Sequence, residues 1–94
     1  MTWYRISKST VLDAEKMKAI ADDSRESVSA LGADSIEIAT GEHGTATVIA
    51  RYPDKASMEA ATENEKNVFK RMFDEGAFDP SSLEQWTREV TYTF

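Results

Sequence analysis

The 94-residue sequence has no cysteine, two prolines, four glycines and a single histidine. The lack of cysteine excludes disulfide staples, thiolate metal sites and cysteine nucleophiles together. It is compatible with a reducing cytoplasm, the expected location. One histidine excludes a multi-histidine metal centre, and a serine–histidine triad would have only His43 to draw on. No apolar run approaches the roughly 20 residues of a membrane span. The start, Met1-Thr2-Trp3-Tyr4-Arg5-Ile6, has neither the basic opening nor the apolar stretch of a secretion signal. Positive charge is also scarce, with eleven basic residues against seventeen acidic ones and a net charge of −6. That balance argues against nucleic acid and anionic membranes as partners, since both favour a basic surface. Gly41 and Gly44 are too close together for a phosphate loop, and a strand rather than a helix follows them. No metal and no cofactor is expected.

What the chain does contain is organised around Ser35–Tyr52. Ile36 and Ile38 alternate with Ser35 and Glu37, the Gly41-Glu42-His43-Gly44 stretch breaks the pattern, and a β-branched run from Thr45 to Tyr52 resumes it. Period-two alternation on both sides of a Gly-bounded turn predicts a hairpin. Before it, Trp3–Ser9 reads as a strand, and Met17, Ile20, Ala21, Val28 and Leu31 recur on one face of a helix that Asp13 opens and Gly32 closes. After it, Pro53-Asp54 ends the strand and starts a second helix, with an apolar stripe of Met58, Ala61, Val68, Phe69, Met72 and Phe73. Glu65 interrupts that stripe. Asp79-Pro80-Ser81-Ser82 predicts a tight turn, and Trp86–Phe94 alternates as the last strand.

The order β-α-β-β-α-β over residues 1–94 predicts one α+β domain. It would be a ferredoxin-like sandwich with antiparallel strands in the order 4-1-3-2 and both helices on one face. Alternation assigns Tyr4, Ile6, Ile36, Ile38, Ala46, Val48, Ala50, Tyr52, Val90, Tyr92 and Phe94 to the helix side. Trp3, Arg5, Glu37, Ile49, Arg51 and Glu89 fall on the helix-free side. That second face is either open to water or covered by a second copy. Its apolar members and paired charges favour a homodimer, with Trp3, Arg5, Ile49, Arg51 and Glu89 at the interface.

Together with the Arg51-Tyr52-Pro53-Asp54 helix start and the terminal Thr91-Tyr92-Thr93-Phe94, this pattern resembles the dimeric α/β-barrel superfamily. Within it, the small antibiotic-biosynthesis-monooxygenase-like domains are the nearest likeness. The resemblance implies two facing sheets, a small-molecule pocket between sheet and helices, and chemistry such as cofactor-independent oxygenation. The alternative is a non-catalytic ligand-binding or interaction domain. The haem-degrading branch uses an axial histidine with an asparagine and a tryptophan. No histidine lies on either predicted helix here, and the first strand carries Ser7 and no asparagine.

The candidate ligand-binding set is Arg88, Tyr52, Tyr92 and Trp86 from the strands, with Glu65 and Asn64 from the second helix. Alternation places Arg88 among aromatics on the helix side, where a guanidinium needs a partner. Glu65 is the acid available to it. Arg88 and Glu65 then form a structural ion pair, or Arg88 holds an anionic or enol-type ligand beside a tyrosine hydroxyl.

Overall fold

The computed structural model describes residues 1–94. Four strands form one antiparallel sheet: β1 (Trp3–Thr10), β2 (Ser35–Thr40), β3 (Thr45–Tyr52) and β4 (Glu84–Glu89). Their order is β2-β3-β1-β4, the ferredoxin-like arrangement predicted from the element order. The helical layer consists of α1 (Ala14–Asp23), α2 (Arg25–Ser29), α3 (Lys55–Ala60) and α4 (Thr62–Asp74). Each predicted helix is therefore bent once. Backbone bonds run through both bends: Ser24 N donates to Ile20 O at 2.9 Å and Ala61 N to Ser57 O at 3.2 Å.

Three helix ends follow the sequence signals, whereas α2 stops at Ser29, ahead of the expected stop at Gly32. The carboxylates of Asp13 and Asp54 accept from the amides of Lys16 and Ser57 at 3.0 and 2.7 Å, satisfying first-turn donors that no carbonyl reaches. At the end of α4, Ala77 N donates to Met72 O and Gly76 N to Phe73 O, the paired bonds of a Schellman motif. Gly76 adopts φ 78°, which a Cβ would strain. The hairpin between β2 and β3 turns through Glu42–Gly44, and exposed His43 itself sits at φ 65°. The turn at Pro80–Ser82 is a single 3-10 turn, and Phe78 before it is buried.

Two apolar clusters fill the space between helices and sheet. Met17, Ile20, Ala46, Met72, Ala77 and Phe78 form one; Leu31, Ala50, Tyr52, Met58 and Ala61 form the other. Strands β2 and β3 contribute the faces expected of them. Strands β1 and β4 are inverted relative to the sequence reading. Antiparallel register pairs Trp3 with Tyr52, Arg5 with Ala50, Ser7 with Val48 and Ser9 with Ala46, so the odd residues of β1 face the helices. Register with β4 places Gln85, Thr87 and Glu89 on that same side. Tyr4, Ile6, Trp86 and Arg88 consequently lie on the helix-free face.

The inversion has a packing reason. Buried Ser7 and Ser9 offer small side chains beneath the helices, and their hydroxyls are satisfied: Gln85 Nε2 donates to Ser7 Oγ at 3.0 Å, and Ser9 Oγ donates to Asp79 O at 3.1 Å. The bulkier Ile6 takes the other face, between its cross-strand neighbours Ile49 and Trp86. The last strand is also shorter than Trp86–Phe94. It ends at Glu89, and Val90 N still donates to Thr2 O at 2.9 Å. Residues 91–94 run on past the N-terminal end of β1 without strand pairing, with Tyr92 and Phe94 stacked edge to face at 4.9 Å.

Candidate functional site

Two sites of different character lie between the sheet and the helices. The first is polar and filled. Glu65 stands one turn into α4, facing the sheet, and is 9% exposed. A carboxylate at that depth needs hydrogen bonds and a counter-charge. Both oxygens have them: the Tyr52 hydroxyl donates to Oε1 at 2.5 Å, and the Arg5 guanidinium pairs with Oε2. A second Arg5 nitrogen donates to Thr62 Oγ1 at 2.9 Å. Burial, then the hydrogen bond to Glu65 and its negative charge, push the Tyr52 hydroxyl well above its ordinary pKa, against the opposing charge of Arg5. At neutral pH this is a neutral phenol and an ion pair, every strong group satisfied. Beside it, a polar cleft of about 320 Å³ along the β4 edge is lined by Arg5, Thr62, Glu65, Lys66, Gln85, Trp86 and Thr87.

The second site is apolar and open. A cavity of about 690 Å³ lies over β2 and β3, beneath α1, α2 and α4. Ile36, Ile38 and Val48 rise from the sheet, while Val28, Val68, Phe69 and Met72 descend from the helices. Polar residues come from one region only: Ser24, Arg25, Glu26 and Ser29 around the α1–α2 bend, and Ser35 at the start of β2. All of these but Ser24 are exposed, which places the mouth between α2 and the β2 edge. The volume matches that of pockets for drug-sized molecules.

The six residues proposed for ligand binding do not form one site. Tyr52 and Glu65 come together, but with Arg5, which the sequence reading had put on the opposite face. Arg88 lies on the helix-free face, exposed, with Nη1 donating to the neighbouring Thr87 carbonyl at 2.8 Å. That placement rules out both the Arg88–Glu65 pair and an Arg88-held ligand beneath the helices. Trp86 shares its face but also reaches the edge of the polar cleft that Glu65 lines, Tyr92 is 74% exposed in the terminal segment, and Asn64 is exposed on α4. Of the five residues assigned to a dimer interface on the helix-free face, Ile49 and Arg51 lie on that face. Trp3, Arg5 and Glu89 are on the helix side, where the Lys55 ammonium sits 5.3 Å from the Trp3 ring centroid. The cavity itself was missed residue by residue. Its lining is drawn from the same aliphatic stripes that announce a packed core, so nothing in the pattern marks the space they fail to fill.

No group of three His, Asp or Glu side chains converges as a metal site would require. No helix is long and apolar enough to cross a membrane.

No protein-family model matches the chain, and no curated protein matches it in sequence. Solved structures do match in fold. SnoaB, a cofactor-independent oxygenase from Streptomyces nogalater, superposes with a TM-score of 0.73 at 10% identity, covering 98% of this chain and 95% of its own. A dimeric ferredoxin-like protein from an uncultured marine organism gives 0.67 at 12% identity, with 99% and 90% covered. An antibiotic biosynthesis monooxygenase gives 0.65 at 11% identity, with 96% and 100% covered. The chain thus has the ferredoxin-like fold of the antibiotic-biosynthesis-monooxygenase-like proteins.

Proposed function

We propose that this chain is a homodimeric small-molecule-binding protein whose ligand occupies the cavity between β2–β3 and the helices. The observation that carries this reading is the cavity itself. About 690 Å³ of mostly aliphatic and aromatic surface is left uncovered in a domain this small, and such space suits a largely apolar organic molecule. Dimerisation is supported by the helix-free face, where Trp86, Ile6 and Ile49 form one cross-strand row, flanked by the row Arg88, Tyr4 and Arg51. Dimeric proteins of the same fold support it as well.

Cofactor-independent oxygenation is the reaction class the fold likeness to SnoaB suggests. A substrate whose methylene is activated by flanking aromatic or enolisable groups can supply the electrons itself. Its methylene carbon loses two C–H bonds and gains one C=O bond, while O2 provides that oxygen and leaves as one water. This chain would then bind the ring system in the aliphatic cavity and hold the reacting edge near the polar mouth. A second reading, binding without catalysis, is favoured by one feature: the only charged groups in the lining, Arg25 and Glu26, sit at the exposed rim.

The test uses two probes. The neutral dye N-phenyl-1-naphthylamine should bind with enhanced fluorescence, and Val68→Trp, which fills the space, should abolish that signal while leaving the fold intact by circular dichroism. Unchanged dye binding in that variant would remove the cavity reading. Oxygen uptake with an anthrone then separates enzyme from binder: uptake lost in Val68→Trp supports oxygenation, and no uptake above the protein-free rate leaves the binding module.

A further inference from the structure

A serine in or beside a helix usually turns its hydroxyl back onto the backbone or caps the turn that follows. Ser27 and Ser29 do the first, donating to Ser24 O at 3.0 Å and to Glu26 O at 2.9 Å. Ser24 does neither. It stands at the α1–α2 bend, in the N-cap position of α2, yet its side chain makes no capping bond. The backbone gives the reason. Asp13 and Asp54 cap from extended conformations, at φ −147° and φ −156°. Ser24, at φ −92° and ψ 0°, continues the helical path and cannot aim its oxygen at the Ser27 amide.

The free hydroxyl has an unusual place. Ile20, Ser24 and Val28 follow one another at four-residue steps, so they share one face of the bent helix. Ser24 is 6% exposed and lines the cavity beside Ala21, Val28, Phe69 and Met72. It is the one buried polar residue in that lining, for the other buried members, Met72 and Phe78, are apolar. No side-chain oxygen of the molecule is sealed in the interior without a partner. An unbonded Ser24 Oγ therefore opens onto accessible space, and the cavity is the space this residue borders.

A guest that bonds this hydroxyl completes a hydrogen bond that hydrocarbon would leave unmade. Charge does not suit the position. Arg25 lies at the exposed rim, its Nε already donating to Asp22 at 3.1 Å. A carboxylate or ammonium carried in as far as Ser24 would rest among aliphatic chains without a counter-charge. A serine hydroxyl both donates and accepts, so a carbonyl and a hydroxyl fit it equally.

We propose that Ser24 is the polar anchor of the cavity, its Oγ hydrogen-bonded to the single carbonyl or hydroxyl of a neutral, otherwise apolar guest. The polar edge of the guest then lies against the α1–α2 bend, and its apolar body lies among Ile38, Phe69 and Phe78. The inference rests on the binding reading above, and its test is built so that the two can fail separately.

The probes are 1-naphthol and 1-methylnaphthalene, which differ by a hydroxyl against a methyl of similar size. Each is titrated against bound N-phenyl-1-naphthylamine. Ser24→Ala should weaken 1-naphthol about three- to tenfold, the worth of one neutral hydrogen bond, and change 1-methylnaphthalene by less than about twofold. Should circular dichroism show that Ser24→Ala has lost its fold, Ser24→Cys replaces it with the same expectation, since a thiol bonds only weakly. Equal changes for both probes, or no change for either, overturn the anchor and leave the cavity standing as a binding site. Dye that fails to bind the unmodified protein, or binds Val68→Trp just as well, overturns the binding reading and the anchor with it.

Discussion

The two ends of the space beneath the helices solve the same problem in opposite ways. Over β1 and the start of α4, a cation, a carboxylate and a phenol occupy it, each bonded to the next. Over β2 and the outer part of β3, it is lined by aliphatic side chains that do not meet. The filled end is intolerant of change because a buried charge left without its partner is costly, whereas the hollow end has room for added volume. A binding site that must admit a guest is thus set beside a region that cannot move.

The strongest way to break this contrast is Glu65→Gln. It leaves the Arg5 guanidinium, 13% exposed, without a counter-charge. A loss of about 3–5 kcal/mol is expected in urea unfolding; a loss under about 1 kcal/mol would show that Arg5 reaches water and that the two ends are alike.

Tyr52→Phe removes one of the two bonds to the carboxylate and should cost about 1.5–3 kcal/mol. It also carries a pH signature. The folded phenol holds its proton more tightly than the unfolded one, whose pKa is 10.0. Stability from this group is complete below that value and declines as pH rises above it, because only the unfolded chain releases the proton. The wild type should therefore lose stability above pH 10 more steeply than Tyr52→Phe, measured by parallel urea titrations.

The smallest effect sharpens the comparison directly. Ala50 and Val48 are on the same face of β3, two residues apart, the first buried in the second core cluster and the second lining the cavity. Ala50→Phe should cost about 1–3 kcal/mol or more by overpacking, while Val48→Phe should stay within about 1 kcal/mol because its ring enters open space. Equal losses would mean that the cavity is closed in solution.

The sequence carried the sheet order, the helix caps and the hairpin, since each follows from local periodicity or one capping side chain. It did not carry the phase of β1 or β4. Alternation tells which residues share a face, not which face the helices cover. With Ile6 needing cover on one side and Trp3 on the other, both assignments look equally buried. Register with β3 resolves it, because Tyr52 faces the helices unambiguously and Trp3 is its partner. Glu65 shows the same division. A carboxylate in an apolar stripe announces a buried counter-charge, but its partner, Arg5 rather than Arg88, depends on a strand sixty positions away. The unpaired tail marks a further boundary, for alternation persists where hydrogen-bonded strand does not.

Strand β1 lies at the centre of the sheet, between β3 and β4, although it precedes all three other strands in sequence. The β2–β3 hairpin closes through a short turn and can form in roughly 1–10 μs. The pairing of β1 is incomplete on one side until Tyr52 has been synthesised, and on its other edge until Glu89. At roughly 5–20 residues per second, a ribosome takes several seconds to supply the first of these. Throughout that interval Trp3, Tyr4 and Ile6 have no sheet to join, so the nascent chain must keep its most central strand unpaired until the hairpin arrives as a ready template.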